Sequence, residues 1–339
     1  VSAPTPLRVA LVGCGDISAL HLDAIASAPD SVLVAACDVI SDRADAVARA
    51  HGALPFDDWE VMLDEVRPDV LHVCTPHHLH APIAVRALQL GTNVLTEKPL
   101  AHSVDAGAAL VAAAAESTAQ LGVCFQNRYN GPVQMLRSKL AAGDLGVPQH
   151  AAATVLWHRT AEYYAASPWR GRWDTAGGGL LMNQAIHTLD LAQWLLGDVV
   201  GVQGHATTRH LGGAIEVEDT AEMLLTHESG ATTAFYATLA HGRNAPVDIE
   251  IVTDEAVVRL RDDLTVTWHD GTTELLAEAP PVVGERGYWG VSHSALIADF
   301  YRCVHEGVPF WIDGAEADKT LRVIQSVYDQ TYPDRQPQR

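Results

Sequence analysis

The sequence predicts an α/β protein of two domains, a doubly wound parallel sheet followed by an α/β domain with a large, mostly antiparallel open sheet. Three observations carry this expectation. Through residues 1–125, short apolar runs alternate with helical stretches of roughly 10–15 residues, the pattern of βαβ units. The first run ends in a glycine turn, Gly13-Cys14-Gly15-Asp16-Ile17-Ser18. From Gln149 on, alternating strand-like runs take over. A chain of 339 residues fits two domains. Their expected spans are 1–125 and 126–339, with the last helices free to pack back on the first.

In order, Leu7 to Val12 reads as a strand, and the glycine turn opens a helix with Ile17, Leu20, Ala24 and Ile25 on one face. Strand, turn and helix are the context that dinucleotide binding requires. Gly13 allows the tight turn, Gly15 lets the backbone approach a pyrophosphate, and the helix N-terminus offers N–H donors. The second strand, Val32 to Cys37, ends in Asp38, placed to accept the ribose hydroxyls of NAD and to repel the 2′-phosphate of NADP. NAD is therefore the expected cofactor, with Arg43 able to meet a phosphate. Ser41 should cap the next helix. Strands follow at Val70 to Cys74, Asn93 to Leu95 and Leu121 to Phe125, with a helix capped by Ser103 before the last. The Gly13 turn, Asp38, the loop Thr75-Pro76-His77-His78-Leu79-His80 and Lys98 all fall at carboxyl ends of strands, where ligands of such sheets sit. His77 or His80 is placed near the nicotinamide. No metal is expected, because no cysteine or carboxylate pattern completes a zinc set with these histidines.

Lys98 is singled out by scarcity. The chain has three lysines, at 98, 139 and 319, against 19 arginines. Lysine can give up its proton when desolvated or set beside positive charge, and arginine cannot. A lysine between Glu97 and Pro99 at the end of a buried strand is thus a candidate acid–base. Farther on, Gln126 to Asn130 reads as a polar loop and Ala151 to His158 as a strand. Four more strands are expected at 199–210, 216–227, 231–241 and 247–260. Between these lie Trp157, Arg159, Tyr163, Tyr164, Trp169 and Arg170, whose aromatic faces and guanidiniums suit a polyol or sugar wall. The glycines 177–179 then open a helix from Leu180 to Asp190. There Asn183 and His187, four apart, should share a face, and Asp190 could orient the imidazole. Two C-terminal helices, Val291 to Glu306 and Ala315 to Gln330, close the chain.

Composition bounds the function. Apolar content is 48% and net charge −20, which argues against nucleic acid or anionic membrane as partner. The five cysteines show no paired spacing, and three sit in or at the ends of apolar runs as buried free thiols do, which suits a reducing cytoplasm. The N-terminus shows no basic or apolar leader pattern.

Together the elements at 13–18, 75–80, 96–101, 126–130 and 177–190, with Ile312-Asp313-Gly314, resemble the Gfo/Idh/MocA oxidoreductases, relatives of glucose–fructose oxidoreductase and inositol dehydrogenase. The resemblance implies a Rossmann domain, sheet-mediated dimers or tetramers, and a lysine and histidine at the hydride-transfer site, mapping onto Lys98 and His187. Cofactor contacts are expected from Gly13, Gly15, Asp16, Ile17, Asp38, Arg43, Thr75, Pro76, His77, His80, Glu97, Lys98 and Asn127. Substrate contacts are expected from Lys98, Arg128, Trp157, Arg159, Tyr164, Trp169, Arg170, Asn183 and His187. Many members carry aspartate where this chain has Asn183 and asparagine where it has His77. The expected activity is NAD(H)-dependent hydride transfer at a secondary alcohol of a sugar, inositol or derivative, with Lys98, His187 and Asn183 at the reacting centre. One alternative is an enzyme that keeps its NAD and oxidises a sugar transiently, for epimerisation, elimination or glycoside cleavage. Another is a non-catalytic sensor of NAD or sugar.

Overall fold

Six short strands, most of them apolar on both faces, form the first sheet. They are β1 (Leu7–Val12), β2 (Ser31–Cys37), β3 (Leu54–Phe56), β4 (Val70–Val73), β5 (Asn93–Thr96) and β6 (Leu121–Val123). The computed structural model describes residues 5–278 and 292–334. All pairings in this sheet are parallel and the strand order is β3-β2-β1-β4-β5-β6. Such a sheet must be covered on both faces, which is why β1, β4, β5 and β6 are almost wholly buried. The covering helices are α1 (Ser18–Ser27), α2 (Ser41–His51), α3 (Trp59–Val66), α4 (His80–Gln89) and α5 (Val104–Glu116). Ser103 caps α5 through the Ala106 N–H as expected, whereas Ser41 is the first residue of α2 and makes no cap bond. The order reverses between β1 and β4, and the crevice of a doubly wound sheet opens at such a reversal.

The chain divides into two compact units, Val1–Gln126 with Ser292–Asp318, and Asn127–Val291 with Lys319–Arg339. In the first, α11 (His293–Glu306) packs on α1 and β6. Glycine is required at position 122 of β6, since a Cβ there would lie 2.9 Å from the Phe300 ring. Position 291, where this helix was expected to start, lies outside the described residues.

The second unit holds α6 (Gly131–Ala142), β7 (Pro148–Leu156), α7 (Ala161–Ala165), α8 (Trp173–Ala176), α9 (Leu180–Asn183) and α10 (Ile186–Leu196). Seven strands follow: β8 (Val199–Thr207), β9 (Thr220–His227), β10 (Thr232–Thr238), β11 (Asp248–Thr253), β12 (Ala256–Arg261), β13 (Asp263–Trp268) and β14 (Thr273–Ala277). The eight-stranded sheet runs β14-β13-β12-β11-β7-β10-β9-β8, antiparallel at every pairing except β7 with β10. The long strand expected at 247–260 is a hairpin, β11 and β12, turning at Asp254-Glu255. The turn carries no glycine or proline to mark it, and the buried positions change phase across it, from 249, 251 and 253 to 256, 258 and 260. Helix α12 (Gly314–Thr331) ends against β8 and β9, where Tyr328 donates to Glu218 and Thr331 accepts from the Ala206 N–H. The alternation in β7 to β10 buries Ala153, Val155, Met223, Leu225, Phe235 and Ala237, and turns Ala152, Leu224, Ala234 and Tyr236 outward.

Candidate active site

The four turns singled out in sequence follow β1, β2, β4 and β5 of the first unit and share one rim. Gly13 has φ +92°, and a Cβ on it would come within 2.6 Å of the Cys74 carbonyl, so only glycine fits. Gly15 is the opposite case, because a Cβ there would meet nothing within 4 Å. That open space borders the start of α1, with Asp16 exposed and Ile17 half-buried. Asp38 sits across the turn. Its Oδ2 accepts the Cys14 N–H at 2.8 Å and its Oδ1 the Ile40 N–H at 2.9 Å, so the carboxylate has a fixed orientation. Arg43 is exposed, and Thr75 and Pro76 are half-buried. A tight glycine, an open glycine and a braced acid fit the diphosphate and ribose of a dinucleotide.

Three of the expected cofactor contacts, His77, His80 and Glu97, are buried. His80 is fully buried, its Nδ1 2.8 Å from the Pro99 carbonyl and its Nε2 2.9 Å from the Thr75 carbonyl. It ties the Thr75 loop to the Lys98–Pro99 turn, whose peptide is cis. Its neighbour His77 is also enclosed, at 3% exposure. Glu97 likewise turns inward. Its Oε1 lies 3.1 Å from His21 Nε2 and 3.4 Å from His293 Nε2. A directional chain satisfies the neighbours: Tyr301 O–H to His72 Nε2, His72 Nδ1–H to His21 Nδ1, His21 Nε2–H to Glu97, with both imidazoles neutral. Burial holds His72 well below the usual imidazole range. For Glu97, burial is overcome by the histidine contacts, and its carboxyl is held well below the carboxylate range. His21, Glu97 and Cys124 offer ligand atoms within 4.8 Å of one another. The hydrogen-bond chain uses two of the three, His21 and Glu97. With Glu97 and Pro99 buried, Lys98 is the half-exposed side chain between them.

In the second unit, the expected single helix over 180–190 is two, α9 and α10. Between them Ala185 N–H reaches back five residues to the Leu180 carbonyl at 2.8 Å, a π-type turn. Asn183 ends α9 and His187 belongs to α10, so the two do not lie on one continuous helix. Both are half-buried, as is Asn127. Glu218, fully buried on the loop before β9, accepts from Gly179 N–H, Leu181 N–H and the Tyr328 hydroxyl. Glycine at 179 is what allows this, since a Cβ there would lie 2.0 Å from the Glu218 carbonyl. Sequence reading passed over Glu218, as a lone acid beside Asp219 gives no signal of its depth.

Three further expectations change. Arg128 lies in a 3-10 turn (Gln126–Tyr129), fully buried, with a two-pronged pair to Asp190 at 2.8 and 2.7 Å. Asp190, expected to orient His187, thus holds a buried cation and also accepts from the Thr320 hydroxyl. Tyr164, 5% exposed, packs under Gly171. Its neighbour Tyr163 is the ring that joins the aromatic segment. Arg159 lies 5.2 Å from the Trp157 ring centre and 5.1 Å from that of Tyr163. Arg170 lies 4.6 Å from Tyr163 and 5.6 Å from Trp169. The five side chains form a ladder of alternating rings and guanidiniums.

Comparison with known proteins agrees with this geometry. Residues 7–125 match the model of the oxidoreductase family with NAD-binding Rossmann fold, and residues 133–259 match the GFO/IDH/MocA C-terminal domain. The chain belongs to the Gfo/Idh/MocA oxidoreductase family. It is 28% identical to a D-apiose dehydrogenase of Paraburkholderia graminis over 94% of this chain and 86% of that one. It is 28% identical to an inositol 2-dehydrogenase of Rubrobacter xylanophilus, over 75% of this chain and 71% of that one. The WlbA dehydrogenase of Bordetella pertussis, solved with NADH and UDP-GlcNAcA, superposes with TM-score 0.85 at 30% identity, covering 97% and 98% of the two chains. Members of this family in solved structures bind NADH, and no described helix here is long and apolar enough to cross a membrane.

Glu218 generates a stability prediction. Burial pushes its carboxyl from 4.5 up to about 7, against three hydrogen bonds that favour the anion. The folded state therefore binds this proton more tightly than the unfolded chain. Its contribution is fully present below pH ~4.5 and is lost as pH rises through ~7, by roughly 3 kcal/mol in all. Urea unfolding of wild type and Glu218→Gln should show a stability difference that declines across that window. A difference independent of pH would contradict the assignment.

Proposed function

We propose that this protein is an NAD(H)-dependent oxidoreductase that interconverts a secondary alcohol and a ketone on a sugar, an inositol or a sugar derivative. One observation carries the reading. The turn after β5 buries Glu97 and Pro99 and leaves Lys98, one of three lysines in the chain, as its half-exposed side chain. The family, and relatives acting on apiose and inositol, support the substrate class. NAD would be held by the Gly13–Ser18 turn, the start of α1 and Asp38, and when bound it supplies the hydride acceptor or donor. Lys98 takes the hydroxyl proton during oxidation and returns it during reduction. His187 is a second group for that proton, and Asn183, which cannot relay one, orients substrate or imidazole. General acid–base help of this kind is worth about 10²–10⁴-fold.

Lys98→Arg keeps the charge but cannot take the proton, so its turnover at saturating substrate and cofactor should fall on that scale while NADH still binds. Near-normal turnover would move the proton to His187.

Asp38 sets the cofactor. A carboxylate within about 4–6 Å of a 2′-phosphate costs roughly 1–4 kcal/mol, or about 5- to 1,000-fold in affinity. Titrations should therefore give tighter binding of NADH than of NADPH; equal affinities would remove that role from Asp38.

The outward face of β7 to β10, with Leu224 44% and Tyr236 39% exposed, is proposed to be covered by a second copy of the chain. Light scattering at micromolar protein should give at least a dimer, and a monomer would rule this out.

A further inference from the structure

The ladder Trp157–Arg159–Tyr163–Arg170–Trp169 has a composition that an uncharged sugar does not need. Two guanidiniums flank one tyrosine ring, each about 5 Å from its centre. They do so in a protein of net charge −20, where carboxylates are abundant. The neighbouring acids are used elsewhere. Asp174 and Glu216 meet Arg172, and Asp219 accepts the N–H groups of Arg209, His210 and Leu211. Among the described residues no ion pair involves Arg170, and its Nε is enclosed without a hydrogen bond. Arg159, 8% exposed, is fixed by the His158 carbonyl and Asn244 Oδ1. Arg170, Trp169 and Trp157 keep part of their surface.

A second observation ties this ladder to the proposed reacting segment. Gln184 directly follows Asn183 and is 6% exposed. Its Nε2 lies 3.4 Å from the Tyr163 hydroxyl, while its Oε1 is buried with no hydrogen bond. Arg170 Nε thus lacks an acceptor, and Gln184 Oε1 lacks a donor, along one strip of the second unit joined through Tyr163. Buried polar groups in that condition are costly until a ligand or water meets them. A single molecule carrying an oxyanion and hydroxyl groups supplies both.

We propose that the ladder is a specificity site for a sugar bearing an oxyanion, a carboxylate or a phosphate, with Arg170 contacting the anion, Trp157 and Trp169 offering faces to sugar C–H groups, and Gln184 accepting from a hydroxyl. Arg159 is a positioning residue: it holds the Tyr163 ring and adds positive potential. The planar guanidinium fork suits either oxyanion. This inference rests on the proposed sugar oxidoreductase activity and narrows its substrate class.

The test uses the full chain saturated with NADH. Calorimetry compares glucose, galactose and mannose with their uronates and their 6-phosphates. At least one anionic form should bind tenfold or more tighter than its neutral parent. Uronate against 6-phosphate tells which oxyanion is meant. Arg170→Gln should erase that preference without changing NADH affinity, and Arg170→Lys, which keeps the charge but not the fork, should retain part of it. Equal binding of neutral and anionic forms, no binding of any anionic form, or a preference that survives Arg170→Gln would overturn the inference. Turnover separates it from the activity beneath it. NADH formation from neutral sugars without charge preference sinks only the ladder's role, whereas no NADH formation from any sugar removes the oxidoreductase reading itself.

Discussion

The rim of the first unit depends on one buried carboxylate. Glu97 lies at the carboxyl end of β5 with 5% exposure, and its charge is tolerated there because His21 and His293 converge on one oxygen. An isolated carboxylate in such a place would be neutral or would unfold the turn. Here the interior supplies its donors in series, from Tyr301 on α11 through His72 on β4 and His21 on α1. Three elements far apart in sequence are therefore tied to the turn that carries Lys98. His80 adds a fourth tie through the Pro99 carbonyl. The lysine is presented by a turn braced from inside by Glu97 and His80.

The second unit solves the same problem with other residues. Glu218 gathers two N–H groups at the start of α9 and the Tyr328 hydroxyl. Asp219 gathers three more on the next loop, and Asp190 holds Arg128. Of these acids, Glu218 fixes the stretch that leads into Asn183. In both units acids in the interior satisfy backbone and side-chain donors where secondary structure does not. A −20 chain can place anions in its interior only at such prepared positions.

Much of this was legible in the sequence because it depends on local chemistry. The Gly13 turn, the acid after β2 and the alternation that carries β1, β2, β4, β5 and β6 are set by glycine sterics and by burial on two faces, and both leave periodic or punctuated patterns, whereas the three-residue, largely exposed β3 leaves none. What escaped depends on distant partners. His80, Glu97 and Arg128 read as polar residues near a site, yet each is turned inward by a partner distant in sequence, Pro99, His293 and Asp190 respectively. The break between α9 and α10 was hidden because a π-type turn leaves the apolar pattern helical. Tyr163 and Tyr164 could not be told apart without knowing that Gly171 packs on the second. The β11–β12 hairpin was missed because Asp254-Glu255 offers no glycine or proline as a turn signal, although the alternation changes phase there.

The central claim is that this chain moves a hydride at a secondary alcohol. The most direct measurement is the absorbance of reduced nicotinamide when the protein and NAD meet a panel of polyols, aldoses and sugar acids. The account predicts NADH that accumulates over many turnovers with at least one of them. No NADH with any compound in the panel, from protein that binds the cofactor, would contradict it.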